Sequence, residues 1–502
     1  MTEAKFVQGP ILRHILVMSS TAAVGISALF VVDLLDIFFL SLLGELELAA
    51  AVGYAGAISF FTTSIGIGLS IALGALVSRA VGAKNMVLAK RMLLNSALIS
   101  LLTSIFVAIV VFIFIPDLLA LIGATGKTAL LAQSYLQILV PSLPFICLAM
   151  ALGGALRAIG DAKLSMLSTL AGGGVNLVLD PIFIFALGMG IEGAAIASVI
   201  ARIAVFVVSA RGIIVKHNML GQFNRQHFIE DISIVYSIAL PAMITNVATP
   251  IGNAVVTKAV ADFGDSYVAG WAVLGRLIPV SFGMIFALSG AVGPIIGQNY
   301  GAQEFERVKE SLTKAIQFCF VYVLVVSLLL FLSRNVIVSA FDMKGDAADI
   351  ILFFCKYIAI FFVFSGVLFV ANAAFNNLGK PKYSTFFNVG KATLGTIPFV
   401  YFGAQMGGVY GVLIGQAVGS ILFGVGGVWL GYRLVGKLQA ASQGPQQQIK
   451  PQTIDDKIEL EMSPTSSPQS SSYIQLAQLN EEPLCEEIVR DGDLDNPRTP
   501  KS

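Results

Sequence analysis

The stretch Val31-Val32-Asp33-Leu34-Leu35-Asp36-Ile37-Phe38-Phe39 places two carboxylates inside an apolar run that extends from about Ile15 to Leu43. A helix crosses a bilayer with about 20 apolar residues, so the run predicts a membrane span with acids inside it. A charge near the bilayer centre costs about 2.5–3.5 kcal/mol on insertion scales. Such a residue normally faces a cavity and handles an ion, a proton or a substrate.

Composition extends the membrane reading to the whole chain. Of 502 residues, 56% are hydrophobic and 12% charged, with a mean hydropathy of +0.84. That is the make-up of a polytopic membrane protein and excludes an ordinary soluble globule. The net charge of +1 gives no pointer to nucleic acid. Small amphipathic molecules and membrane lipids are the expected partners of a monomer. Cys147, Cys319 and Cys355 lie in apolar runs and Cys485 near the end, without CxxC or Cys/His spacing. Neither a disulfide, nor zinc, nor any cofactor is expected. The first apolar run is too long for a signal-peptide core and lacks a small-residue cleavage site, so it is read as a true span.

Apolar runs broken by short polar joints predict twelve helices, near 14–43, 48–78, 92–115, 128–154, 164–187, 191–215, 232–261, 267–297, 313–333, 350–378, 383–403 and 409–435. One side of these joints collects Lys5, Arg13, Arg79, Lys84, Lys90, Arg91, Arg157, Lys163, Arg211, Lys216, Arg307, Lys380, Lys382, Arg433 and Lys437, and the other only Lys127, Lys258, Arg334, Lys344 and Lys356. Basic loops stay inside, which puts both termini in the cytoplasm of a plasma membrane, the inner membrane of a bacterium.

The chain also repeats itself. Val77-Ser78-Arg79-Ala80-Val81-Gly82-Ala83-Lys84 aligns with Ile296-Gly297-Gln298-Asn299-Tyr300-Gly301-Ala302-Gln303 at an offset of 219. Gly160-Asp161-Ala162-Lys163-Leu164-Ser165 meets Gly379-Lys380-Pro381-Lys382-Tyr383-Ser384 at the same offset, and Gly190-Ile191-Glu192-Gly193 meets Gly408-Val409-Tyr410-Gly411 at 218. Six spans per half is an even number, so both halves enter from one side and a pseudo-two-fold axis runs along the membrane normal. The expected organisation is an N-terminal six-helix lobe over 1–215, a cytoplasmic linker over 216–231, a C-terminal lobe over 232–438 and a disordered cytoplasmic tail over 439–502. The tail is rich in Gln, Ser, Pro and acid, and cannot bury enough apolar surface to offset its ordering entropy.

The first span ends near Gly44, eight residues beyond Asp36, and spans five and six turn near Met189, nine residues after Asp180 and nine before Ser198. At 1.5 Å per residue these three lie at one depth, about 12 Å below the outer surface. Asn176 is one turn before Asp180 and shares its face. Two carboxyl groups brought close in low dielectric titrate as a coupled unit. An amide and a hydroxyl can hydrogen-bond either protonation state. The pattern predicts a proton-binding site of Asp36, Asp180, Asn176 and Ser198. Gly172-Gly173-Gly174 removes side chains where helices must approach or flex. Asp33 shares the face of Asp36 but lies deeper, and its role stays open.

Asp36-Ile37-Phe38-Phe39-Leu40-Ser41-Leu42-Leu43-Gly44, Gly160-Asp161-Ala162-Lys163 and Asn176-Leu177-Val178-Leu179-Asp180-Pro181, followed by Gly188-Met189-Gly190-Ile191-Glu192-Gly193-Ala194-Ala195, resemble the MATE family of multidrug and toxic compound extrusion transporters over about residues 10–437. The resemblance implies two six-helix lobes around a V-shaped cavity, and efflux of amphipathic, often cationic drugs in exchange for protons or sodium. The N-terminal acids are similar to those of the DinF branch, whose proton-binding aspartates, asparagine and sixth-span hydroxyl match Asp36, Asp180, Asn176 and Ser198. The NorM branch is less similar: its acids would fall near Thr249 and Gly366, and no acid lies between Asp349 and Asp455. A sodium site in the C-terminal half is therefore not expected. Thr21 stands where DinF-like members with a bending first helix carry proline, which leaves such a bend without its hinge residue, while Pro241 keeps one in the repeat-related seventh span. Ser41 replaces a usual glycine.

Arg202, Arg276 and Lys391 are cations within apolar runs. Setting the lobe interface, neutralising an acid and helping anionic or zwitterionic cargo are three open roles for them. Phe353, Phe354, Phe361, Phe362, Phe364 and Phe369 either line a cavity or pack in the core or against lipid. His14, His217 and His227 lie at cytoplasmic edges as interface residues. The sequence thus predicts a proton-coupled antiporter, with sodium possible as coupling ion, and not an enzyme. A lipid or oligosaccharide flippase is the related alternative. A remote one, an intramembrane aspartyl protease, would want Tyr-Asp and Gly-x-Gly-Asp motifs, whereas Asp36 follows Leu35 and Asp180 follows Leu179.

Overall fold

The computed structural model describes residues 4–43 and 46–443. Sixteen α-helices follow one another among them: α1 (Ile11–Ser41), α2 (Leu46–Gly82), α3 (Met86–Ile113), α4 (Ile115–Leu121), α5 (Gly126–Leu139), α6 (Leu143–Ala158), α7 (Ala162–Pro181), α8 (Gly190–Arg211), α9 (Arg225–Ala261), α10 (Asp265–Ser281), α11 (Gly283–Gly301), α12 (Phe305–Ala340), α13 (Asp346–Phe353), α14 (Phe362–Asn377), α15 (Pro381–Ala392) and α16 (Ile397–Gln443). Lipid offers no water to a bare N–H or C=O, so a chain this apolar closes its backbone hydrogen bonds within helices.

Ten helical stretches among the described residues are long and apolar enough to cross a bilayer, and α10 with α11, bent by 44°, makes an eleventh. Pro381–Gln443, counted once among the ten, holds two crossings. Gly407 (φ −140°, ψ 18°) and Gly408 (φ +58°, ψ −142°) leave helical geometry there and reverse the chain. Only glycine enters the second of these conformations cheaply. The two arms then touch backbone to backbone: a Cβ on Gly411 would lie 1.9 Å from the Gly403 carbonyl oxygen. The protein is therefore all-α and polytopic, with twelve crossings arranged as two six-helix lobes.

Helix bounds differ from expectation by several residues at a number of places, three of which have a visible cause. α3 starts at Met86, because the Asn85 side chain accepts the Leu88 N–H (3.0 Å). α9 starts at Arg225, because Asn224 accepts from the N–H groups of Gln226 and His227; the non-helical joint is 217–224, shorter than the expected 216–231. α16 continues to Gln443, helped by Gln439 donating to Glu306 (3.0 Å), so 439–443 are helical where a tail was expected. Residues 444–502 and the side chain of Asp33 lie outside the described residues.

The repeat recurs in the backbone. Left-handed residues pair at the 219-residue offset: Lys84 (φ +58°) with Gln303 (+60°), Gly123 (+86°) with Asp342 (+47°), Gly126 (+59°) with Gly345 (+55°), and Gly160 (+83°) with Gly379 (+78°). The 3-10 turns Val140–Ser142 and Ala359–Phe361 share that offset. A left-handed non-glycine residue costs about 1–2 kcal/mol, so these recurrences mark turns of fixed geometry.

The halves meet through α1 on α11, α2 on α9 and α2 on α11. The seam is itself symmetric. A Cβ on Gly82 would stand 2.0 Å from the Gln298 carbonyl oxygen, and one on its repeat mate Gly301 2.0 Å from that of Arg79. Arg79, 2% exposed, donates to the carbonyls of Asn377 and Asn376 (both 2.8 Å), and its mate Gln298 donates to that of Ala158 (2.7 Å). Arg91 grips buried Asp231 with two hydrogen bonds (2.7 and 3.0 Å), and Asn95 adds a third (2.6 Å). These contacts gather at the end of the bundle where the described chain starts and stops. The amino segment crosses the same seam. The Phe6 N–H donates to Gln298 (2.9 Å), while its carbonyl accepts from Asn299 (3.1 Å) and Arg307 (3.0 Å). Its ring, 3% exposed, meets His14 edge-on.

At the same end, Asp161 caps α7 by accepting the Leu164 N–H (3.3 Å) and ties it to the end of span six through Lys216 (2.6 Å) and His217 (2.8 Å). Burial works to raise the Asp161 pKa, but the hydrogen bonds from Lys216, His217 and Leu164 and the Lys216 charge outweigh it and hold the carboxyl below its ordinary value. A depressed carboxyl stabilises the fold above its unfolded pKa, about 3.9, and loses that contribution as pH falls through the lower folded value. Asp161→Asn is therefore expected to lower the melting temperature at pH 6–7, with the gap to wild type closing below about pH 4. A gap that stays constant down to pH 3 would contradict this account.

Candidate functional site

Three sequence-predicted residues meet in the N-terminal half. Asp36 comes from the last turns of α1, and Asn176 and Asp180 from one face of α7. The Asn176 amide nitrogen donates to both acids, at 2.7 Å to Asp36 Oδ1 and 2.9 Å to Asp180 Oδ2. Asp180 is fully buried and Asn176 nearly so, while Asp36 is partly open. One amide thus links the two acids; two carboxylates are acceptors only, so a direct hydrogen bond between them would need a proton. Asn176 Oδ1 and Asp180 Oδ1 are buried and receive no hydrogen bond from the described residues. A buried acceptor left unmet costs about 1–3 kcal/mol, so an added proton relieves a deficit at this place.

The glycines predicted to let helices approach do so. A Cβ on Gly172 would lie 2.2 Å from Val205 of α8, and one on Gly173 3.2 Å from Val32 of α1. With these side chains gone, α7 packs between α1 and α8. α7 then ends at Pro181, which has no N–H to continue the ladder, and a π segment, Ile182–Ala186, follows. The acid thus sits beside a break in its span.

Ser198 is not bonded to the acids directly. Tyr135 of α5, which is buried, stands in the same neighbourhood as Ser198, Asp36, Asp180 and Arg202. Tyr135 was missed in the sequence, although it lies nine residues beyond the turn at Gly126, the same count that located Asp180 and Ser198. Arg202, one turn after Ser198, donates to the Leu139 carbonyl (3.3 Å) and the Ser142 hydroxyl (3.0 Å), where span four breaks into the 3-10 turn Val140–Ser142. α1 is unbroken over Ile11–Ser41; Thr21, in the place of a hinge proline, donates to the Val17 (2.8 Å) and Met18 (3.0 Å) carbonyls. The expected phenylalanines divide: Phe354 is buried, Phe362 stacks on Phe282 at 4.3 Å, and Phe353 packs on Tyr410 at 4.7 Å.

Comparison with known proteins gives a family and relatives. The MatE family model matches residues 22–182 and again 241–402, two segments that begin one repeat length apart. An FAD transporter of Shewanella oneidensis is 28% identical over 440 residues, covering 86% of this chain and 97% of that protein. The multidrug export protein MepA of Staphylococcus aureus is 23% identical over 441 residues, covering 86% and 96%. Among solved structures, a mutant form of the Vibrio cholerae MATE transporter VcmN aligns with a TM-score of 0.80 at 24% identity, covering 86% of this chain and 98% of that one.

Proposed function

The chain belongs to the MatE family of membrane transporters, and on that premise we propose that it exports amphipathic compounds by exchange for protons bound at Asp36 and Asp180. It is a transporter and not an enzyme. The observation that carries the proton reading is the single Asn176 amide bridging the two carboxyl groups, each within hydrogen-bonding distance of it. Taking both termini as cytoplasmic in a bacterial inner membrane, the end closed by the seam contacts faces inward, and we read this arrangement as an outward-facing one. Protonation of the pair from outside then weakens the hold on a cationic, amphipathic cargo and favours its release. The deprotonated pair reloads from the cytoplasm. Coupling needs only that proton and cargo favour different states. The N-terminal acids, with no acid in the last three spans, fit a DinF-like rather than a sodium-type arrangement.

Everted vesicles test this reading with ethidium as cargo. Ethidium uptake is expected under an imposed pH gradient at zero sodium, and collapse when that gradient is dissipated. Uptake driven by a sodium gradient alone would overturn proton coupling, and no uptake under either gradient would overturn the drug-export reading. A second reading, favoured by the Shewanella relative, is export of an aromatic anion such as FAD.

A further inference from the structure

α15 is the repeat mate of α7, the helix that carries Asn176 and Asp180, and it bears a charge of the opposite sign: at the 219-residue offset Lys391 falls opposite Gly172, two turns before Asp180. In the N-terminal half the acid pocket is built where α7 packs on α1, α6 and α8; in the C-terminal half α15 packs in the same way on α9, α14 and α16. Both places border two spans of irregular backbone. Val140–Ser142 and Ala359–Phe361 tighten spans four and ten into 3-10 turns, span five continues as a π segment after Pro181, and a turn between Ala392 and Ile397 interrupts span eleven. Broken membrane helices mark binding sites, because their ends offer unmet backbone dipoles inside the bilayer. Beside the irregular stretch of span five stands Asp180. Beside that of span eleven stands Lys391.

Lys391 lies ten residues into α15, about 15 Å at 1.5 Å per residue and so near the middle of a membrane core about 30 Å thick. Its ammonium donates to the Ser365 hydroxyl (2.7 Å), its one side-chain partner among the described residues. A lysine carries three donors, so two are left over. No carboxylate occurs between Asp231 and Asp262 or between Asp349 and Asp455, so the acids of the surrounding spans lie only at their ends. The attraction of a cation to the C-terminal end of α15 is several-fold smaller than the cost of an ammonium at mid-membrane depth. Structural packing alone therefore leaves this charge unexplained, and a mid-membrane charge with spare donors calls for a counter-charge from outside the chain.

We propose that Lys391, held by Ser365, is an anion-binding point for the carboxylate or phosphate group of the transported compound. The proposal rests on the exporter reading and departs from its cationic cargo in favour of that of the second reading: an amphipath with an anionic group, taken by the C-terminal half while the acids of the N-terminal half exchange protons.

Riboflavin and its phosphate ester, flavin mononucleotide, share one ring system and differ in the anion, so they isolate the effect. Binding of each to the purified full-length protein in lipid nanodiscs is read by flavin fluorescence. The phosphate ester is expected to bind about tenfold more tightly than riboflavin, with the preference lost in Lys391→Met and kept in Lys391→Arg. Lys391→Gln replaces Lys391→Met should the latter fail gel filtration. Equal binding of the two flavins, binding of neither, or a preference that survives removal of the ammonium would overturn the proposal. Ethidium export under a pH gradient is scored separately, with the same purified protein reconstituted into sealed liposomes. Its failure would strike the exporter reading while the flavin comparison is judged on its own.

Discussion

Asp180→Asn is expected to reduce export driven by a pH gradient to background while the protein stays folded. Asparagine keeps an oxygen where Asp180 accepts the Asn176 amide at 2.9 Å, so the packing of α7 on α1 survives. What goes is a carboxyl group that can take up and release a proton beside Asp36. A ligand that binds two states equally shifts neither, and a site that cannot change its protonation cannot couple a pH gradient to movement. Asp36→Asn should do the same through the other carboxyl group. The measurement is dye uptake in everted vesicles containing matched amounts of protein, with the melting curve of each variant as the folding control. Wild-type turnover in a well-folded Asp180→Asn protein would remove the pair from the mechanism.

Gly301→Ala is expected to have the next largest effect, on the balance of states. Its new Cβ would fall 2.0 Å from the Arg79 carbonyl oxygen, which is backbone and cannot rotate away. Overpacking a tight contact costs about 1–3 kcal/mol. Here the strain is relieved by parting the halves at the sealed end, so the substitution favours the state open there. Every 1.4 kcal/mol is about a tenfold change in population. Ser78, buried on the seam and hydrogen-bonded to Asn377 (3.2 Å), is a suitable reporter. In a background cleared of native cysteines, a thiol introduced as Ser78→Cys should label at least about tenfold faster when Gly301→Ala is added. Unchanged labelling would show that the seam absorbs a methyl group without opening.

Much of this architecture is legible in the sequence because its causes are local. Apolar length sets each span, and turn glycines such as Gly160 and Gly379 set the repeat. Counting residues from a turn places Asp36, Asp180 and Ser198 at one depth. What stayed hidden depends on which faces meet. Arg79, Gln298 and Asp231 look like ordinary charged or polar residues beside loops, and only the packed halves show that they close the seam. The break after Ala392 carries no proline between 393 and 396, so span eleven reads as one uninterrupted apolar run. Tyr135 was available to the same depth count but drew no attention beside carboxylates.

The amino segment has a consequence for biosynthesis. The side chains that satisfy the backbone of Phe6, those of Gln298, Asn299 and Arg307, are translated some 300 residues after it. At typical ribosomal speeds that is a wait of about 15–60 s. Until then this segment lacks its docking partners, and its capture reports that the eighth and ninth spans have been inserted. The bolt is made long before the catch that holds it.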